Sequence, residues 1–238
     1  MTKILERINR VKDNIKKACD RARRDPSEVK LVIVTKSATF DEIKKVIQAG
    51  YTDLGENRVQ QLKKISAQID EFLEKNNEQL PQKVNWHMIG HLQRNKVRQV
   101  LPQIYLIHSV DTLRLAEEIN AAAPKLNVRP KILLQVNTSG EPQKYGVPVG
   151  AALHLAEQIE TLPNLKFVGL MTMAPLTRDK NLIRSCFSRA RELFIEMRGE
   201  KIVGPEFTEL SMGMSSDYEI AIEEGATILR IGSAIFAG

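Results

Sequence analysis

A lysine stands directly behind four consecutive apolar residues near the start of this 238-residue chain, in Leu31-Val32-Ile33-Val34-Thr35-Lys36. An amine at the end of a buried strand is partly desolvated, which disfavours the ammonium and favours the neutral, nucleophilic form. A lysine that attacks a carbonyl to form a Schiff base needs that property. The competing reading of Lys36 is a side chain that snorkels from the strand end into solvent. Two late segments carry a different chemistry. Leu210-Ser211-Met212-Gly213-Met214-Ser215-Ser216-Asp217 and Arg230-Ile231-Gly232-Ser233-Ala234 combine glycines, which let backbone approach an anion, with serine hydroxyls and helix starts. As plain structure, the same residues are turns in which Ser215 or Asp217 caps a helix.

A reactive lysine and two anion-binding loops call for one ligand with a carbonyl and a phosphate. Pyridoxal phosphate fits, as does a sugar phosphate handled through a Schiff base. Arg230 bears on the choice. It sits in an apolar run and needs a partner there. Either it pairs internally with an acid such as Glu209 or Glu224, or it faces a pyridine nitrogen, where an arginine keeps the ring a weaker electron sink than an acid does.

These residues need a scaffold that brings strand ends together. Apolar steps of three and four at Ile4, Ile8, Val11, Ile15, Ala18 and Ala22 mark a leading amphipathic helix. Short strands follow at 31–34, 51–54, 84–89, 104–108, 131–136, 167–171, 208–212 and 227–231. Helical segments separate them, including 41–49, 93–100, 149–160, 181–198 and one capped by Asp111 that runs to Ala122. The segment from Thr138 to Pro148 reads as a loop. Strict alternation implies parallel strands with right-handed crossovers. Eight units point to a (β/α)8 TIM barrel with an extra N-terminal helix, spanning 1–238 as one domain, in preference to an open doubly wound sheet. In such barrels the site lies at the carboxyl ends of the strands, where Lys36, Asn57, His91, Asn137, Ser215 and Ser233 fall.

Composition narrows the classes. Cys19 and Cys186 are the only cysteines and have no metal-ligand spacing, so neither a disulfide framework nor a metal site is expected. Charges interrupt the first residues, and no run approaches a membrane span, so the cytosol is the expected location. The net charge of +6 is spread over helices, and the dense stretch from Lys12 to Arg24 reads as a solvated helix face, not a nucleic-acid site. With aromatics at 5% there is no stacking motif.

Nearly end to end, the chain resembles the YggS/PROSC family, the pyridoxal phosphate homeostasis proteins. The resemblance rests on the Lys36 segment and on Gly55-Glu56-Asn57-Arg58-Val59-Gln60. It continues through Trp86-His87-Met88-Ile89-Gly90-His91-Leu92-Gln93-Arg94-Asn95-Lys96, Gln135-Val136-Asn137, Gly169-Leu170-Met171 and the two late segments, the last of them running on to Phe236. It implies a barrel similar to the N-terminal domain of alanine racemase, with the cofactor as a Schiff base on Lys36. It further implies Arg230 at the pyridine nitrogen, Ser211, Gly232 and Ser233 at the phosphate, and Asn57 near the ring. Lys144, in Glu141-Pro142-Gln143-Lys144-Tyr145-Gly146, resembles a second family lysine associated with cofactor handling, or is a solvated loop residue. Trp86 and His87 match the family and are expected to pack in the core. The chain departs from the family pattern at Thr35 and Ser37 around the lysine, at Arg58 in place of an aromatic, and by an extra residue at Ala237.

Three functions are compatible with these features. A monomeric carrier would hold the cofactor in vitamin B6 homeostasis and amino-acid balance, with apo-enzymes as recipients. A racemase-type enzyme would need a second base. No second domain to supply one is expected, and Tyr51, Tyr105, Tyr145 and Tyr218 have no evident claim to the role. A nucleic-acid or protein binder would use the basic first helix. The carrier is the favoured reading.

Overall fold

The computed structural model describes residues 3–76, 80–81, 83–141 and 144–237. Short β-branched runs, apolar on both faces, become parallel strands covered by helices. In chain order these are β1 (Lys30–Val34), β2 (Asp53–Glu56), β3 (Asn85–Met88), β4 (Ile104–Val110) and β5 (Lys131–Asn137), then the two-residue β6 (Val147–Pro148). They end with β7 (Lys166–Met171), β8 (Glu209–Ser211) and β9 (Ile228–Ile231). β1 pairs with both β2 and β9, and β4 pairs with β5, so eight strands close in the order β1-β2-β3-β4-β5-β7-β8-β9. That closure is a (β/α)8 barrel and excludes the open sheet. β6 pairs only with β5, through Val136 and Val147, inside the stretch expected to be a loop.

The leading helix α1 (Lys3–Ala22) buries Ile4, Ile8, Val11, Ile15, Ala18 and Cys19. It packs on α8 (Tyr218–Glu223) and α9 (Ser233–Phe236), late in the chain. The basic stretch from Lys12 to Arg24 is not simply solvated. Arg21 pairs with Glu219 and Glu223, and Arg24 donates to the carbonyls of Ile222 and Ala226. The other outer helices include α2 (Phe40–Gln48), α3 (Val59–Glu74), α4 (Val97–Val100), α5 (Leu113–Ala122), α6 (Val149–Glu160) and α7 (Lys180–Gly199). The segment read as one helix over 93–100 is a tight turn at Arg94–Lys96 followed by the single turn of α4. Thr112, not Asp111, caps α5, because its hydroxyl accepts from the Leu115 amide. Asp111 pairs instead with His91 at 3.3 Å.

Inside the barrel, Val32, Leu106, Leu133, Val168, Met171 and Ile228 form one apolar layer, separate from the larger core beneath the helices. Alternation along a strand then dictates the next layer. Two residues beyond Leu106, Leu133 and Ile228 come His108, Gln135 and Arg230, all buried. The interior above that layer thus carries polar side chains, of which Gln135 and Arg230 line the floor of the site.

Candidate functional site

A cleft of about 770 Å³ opens at the carboxyl ends of the strands, a size typical of small-molecule sites. Lys36 and Val34 come from the end of β1, Asn57 from the turn after β2, and Gly90 and His91 from the turn after β3. Gln135 rises from β5, Tyr145 from the loop before β6, and Met173 and Leu176 from the loop after β7. Met214, Ser215 and Ser216 follow β8, and Arg230, Gly232 and Ser233 belong to β9 and its end.

Close approaches fix this arrangement. A Cβ on Gly232 would lie 3.1 Å from both Cβ and O of Val34, so the absence of a side chain lets the end of β9 press against the end of β1. That contact brings Ser233 into the same cleft as Lys36. A Cβ on Gly90 would stand 2.2 Å from the Asn57 carbonyl oxygen, so glycine there lets the turn after β2 fold down beside the turn after β3. The Ser215 hydroxyl accepts from the amides of Gly232 at 3.3 Å and Ala234 at 3.2 Å, which ties the loop after β8 to the start of α9. Asp217 turns its carboxylate back onto the Met214 amide at 2.5 Å and makes no side-chain cap on α8.

Lys36 is exposed at the mouth of the cleft, less desolvated than its place behind an apolar run suggested. Threonine 35, before it, is fully buried and donates to Glu56 Oε1 at 2.5 Å. Burial raises the Glu56 carboxyl above its usual range.

Arg230 is buried, at 4% exposure, on the cleft floor. Among the described residues no carboxylate lies within ion-pair distance of it. Glu224 pairs with Arg184 and Arg191, and Glu209 accepts from the Thr227 hydroxyl, which leaves neither acid to Arg230. The guanidinium donates to Ser211 Oγ at 2.6 Å and to the Thr172 carbonyl at 2.9 Å, which engages two of its five N–H groups. Burial pulls its pKa down to about 10, so it stays charged at neutral pH.

The structure brings Lys36, Asn57, Arg230, Gly232 and Ser233 to one cleft. Ser211, expected at the phosphate, does not line that cleft. It is fully buried, lies beneath Arg230, and bonds to that guanidinium and to His108 Nδ1. Ser215 and Ser216 line the cleft in its stead. His87 is a polar core residue, with Nε2 at 3.1 Å from Asp53 and Nδ1 at 2.8 Å from His108. Lys144 is half-buried, not a free loop lysine. It donates to the Ala174 carbonyl at 3.0 Å and pairs with Glu141; its neighbours Pro142 and Gln143 lie outside the described residues. Tyr145, which has no evident role from the sequence, stacks on His91 at 4.2 Å on the cleft wall. Among the described residues no cluster could hold a metal ion, and no helix is long and apolar enough to cross a membrane.

Residues 7–238 match the family described as alanine racemase, N-terminal domain. The pyridoxal phosphate homeostasis protein of Aquifex aeolicus is 42% identical over 232 residues, which cover 97% of this chain and 96% of that protein. This chain belongs to that family. The structure of Synechococcus elongatus PipY with pyridoxal phosphate bound superposes with a TM-score of 0.80 at 32% identity, covering 98% of this homeostasis-family chain and 99% of that one. Alanine racemase of Clostridium difficile shares the fold alone, with a TM-score of 0.68 at 13% identity over 94% of this chain and 59% of that one.

Proposed function

We propose that the cleft holds pyridoxal 5′-phosphate on Lys36 and that the chain serves cofactor homeostasis by binding, without substantial turnover. One observation carries this reading: a buried guanidinium with no carboxylate within ion-pair distance among the described residues lies on the floor of a cleft whose wall carries an exposed lysine. Bound to a protein, pyridoxal phosphate supplies an aldehyde that a lysine amine can capture reversibly.

The chain's own residues divide the remaining work. Lys36 supplies the amine, and its exposure keeps it open to attack and release. Arg230 directs its remaining N–H donors at the ring nitrogen. As a cation it holds that nitrogen unprotonated, which disfavours carbanion chemistry and suits a carrier. Gly232 and Ser233 offer backbone and hydroxyl donors to the phosphate, with Ser215 and Ser216 beside them. Asn57 flanks the ring. Ser211 acts through Arg230.

A monomer fits the surface. The large apolar side chains exposed among the described residues are Tyr145, Leu176, Leu182 and Ile195, and the first two line the cleft. On this reading apo-enzymes receive the cofactor in the cytosol, where the unpaired Cys19 and Cys186 stay reduced.

The test is to record the visible spectrum of protein mixed with pyridoxal phosphate, reduce with borohydride, and map the label by mass spectrometry. A label on Lys36 supports the reading. A colourless protein, or a label scattered over surface lysines, refutes it. Interconversion of L- and D-amino acids at ordinary enzyme rates would replace the carrier with the racemase-type enzyme.

A further inference from the structure

A line of polar side chains runs through the barrel interior from the cleft floor to the opposite end. Arg230 NH1 lies 2.6 Å from Ser211 Oγ, and Ser211 Oγ lies 2.9 Å from His108 Nδ1. His108 Nε2 lies 2.8 Å from His87 Nδ1, and His87 Nε2 lies 3.1 Å from Asp53 Oδ1. Arg230, Ser211, His108 and His87 are buried, while the Asp53 side chain is 22% exposed at the start of β2. The members come from β9, β8, β4, β3 and β2, so the line crosses the barrel instead of following one strand.

Its two ends fix its direction. A guanidinium only donates and a carboxylate only accepts. Ser211 Oγ must therefore accept from Arg230, which turns its own proton toward His108 Nδ1. That nitrogen is then the acceptor, so His108 carries its proton on Nε2 and gives it to His87 Nδ1. His87 likewise carries its proton on Nε2 and donates to Asp53. Each neutral ring is used once as donor and once as acceptor, with no group left over. A second proton on His87 would set its Nδ1–H against the Nε2–H of His108, and one on His108 would leave the Ser211 proton without an acceptor.

We propose that Asp53, His87, His108 and Ser211 are positioning residues, a directed hydrogen-bond relay that aims Arg230 at the ligand's ring from the far end of the barrel. The proposal rests on the reading of the cleft as a pyridoxal phosphate site. None of the four residues lines the cleft, so none touches the ligand. No carboxylate lies within ion-pair distance of Arg230 among the described residues; the buried Asp217 acts on it only through space, and the relay adds a carboxylate joined to it by hydrogen bonds. Each link makes the next acceptor more electron-rich, as in polarised hydrogen-bond chains.

Two measurements test it. In ligand-free protein at neutral pH, side-chain ¹⁵N spectra should show His87 and His108 both neutral and both protonated on Nε2. Loaded with pyridoxal phosphate, His87→Phe should bind about tenfold more weakly than wild type, the scale of one lost hydrogen bond to a charged group. Its bound-cofactor absorption band should also shift. Asp53→Asn, which keeps shape and removes charge, should move the band the same way by less. A ring protonated on Nδ1, or two variants with wild-type affinity and spectrum, would overturn the relay. If wild type itself takes up no pyridoxal phosphate, the cofactor reading fails, and the relay is then judged on the tautomers of the ligand-free protein alone.

Discussion

Gly90 and Asn57 are in backbone contact: a single added carbon at Gly90 would come within 2.2 Å of the Asn57 carbonyl oxygen. The obstacle is backbone, which cannot swing away as a flexible side chain would. Gly90→Ala should therefore shift the turn after β2 and move Asn57 off the cleft wall. The expected cost is about 1–3 kcal/mol, as for other forced insertions. Urea unfolding should show the lowered midpoint, and cofactor titration should show weakened loading.

Lys36→Ala should separate binding chemistry from folding. The side chain is exposed and holds nothing together, so the melting temperature should stay close to wild type. Borohydride should then fix no label in the cleft. A variant that retains the full label would move the nucleophile to another lysine.

Arg230→Met removes two buried hydrogen bonds, leaving the Thr172 carbonyl and the Ser211 hydroxyl without their donor. Unsatisfied buried acceptors cost about 1–3 kcal/mol each, offset by relief from burying a charge. The variant should fold with reduced stability, readable in denaturant melts. If Arg230 faces the ring as proposed, the bound cofactor should show an altered absorption band.

Acid should destabilise the protein through its two buried histidines. Burial lowers His87 below its usual value, and burial together with the neighbouring charges lowers His108 well below. Below pH 6.5 the unfolded chain therefore binds protons that the folded chain refuses. Stability is full above that pH and falls as pH drops through the window below it, by about 1.4 kcal/mol per pH unit for each ring. Glu56 and Asp217 work in the opposite direction, since burial raises both and their contribution is lost as pH rises. Urea midpoints at pH 7.5 and 5.5 for wild type and His108→Asn isolate the histidine effect. A pH slope unchanged in the variant would mean that His108 does not titrate in this way.

The barrel was readable because its strands are short, apolar on both faces and separated by helical periods. Lys36 was readable because it follows such a run directly. Arg230 stood out as an arginine in an apolar run that needs a partner, but the run fits the barrel interior and the helix side alike; the structure turns it inward with Ile228. Ser211 was harder to place. It falls within the strand expected over 208–212, but its place among glycines and serines suggested a donor to an anion, whereas its side chain is buried in the interior. The contact between His87 and His108 depends on β3 and β4 being neighbours and on the shift in their register between Trp86 and His87, which no local pattern encodes. The cap of α5 falls one residue later than expected because aspartate and threonine both suit that position. The aspartate was drawn to His91, a partner far away in sequence.

The junction of β1 with β9 also constrains when the site can exist. Lys30 to Ile33 are in register with Ile228 to Ile231, and Gly232 seats against Val34. Lys36 and the serine-bearing loops after β8 and β9 thus come from opposite ends of the sequence and meet only when the ring of strands shuts. During synthesis, Lys36 emerges long before Arg230 and Ser233, so a growing chain has the amine but no cleft to hold a phosphate. Capture of the ligand would then report a finished barrel, and fragments that stop short of the last strand would stay blind to it.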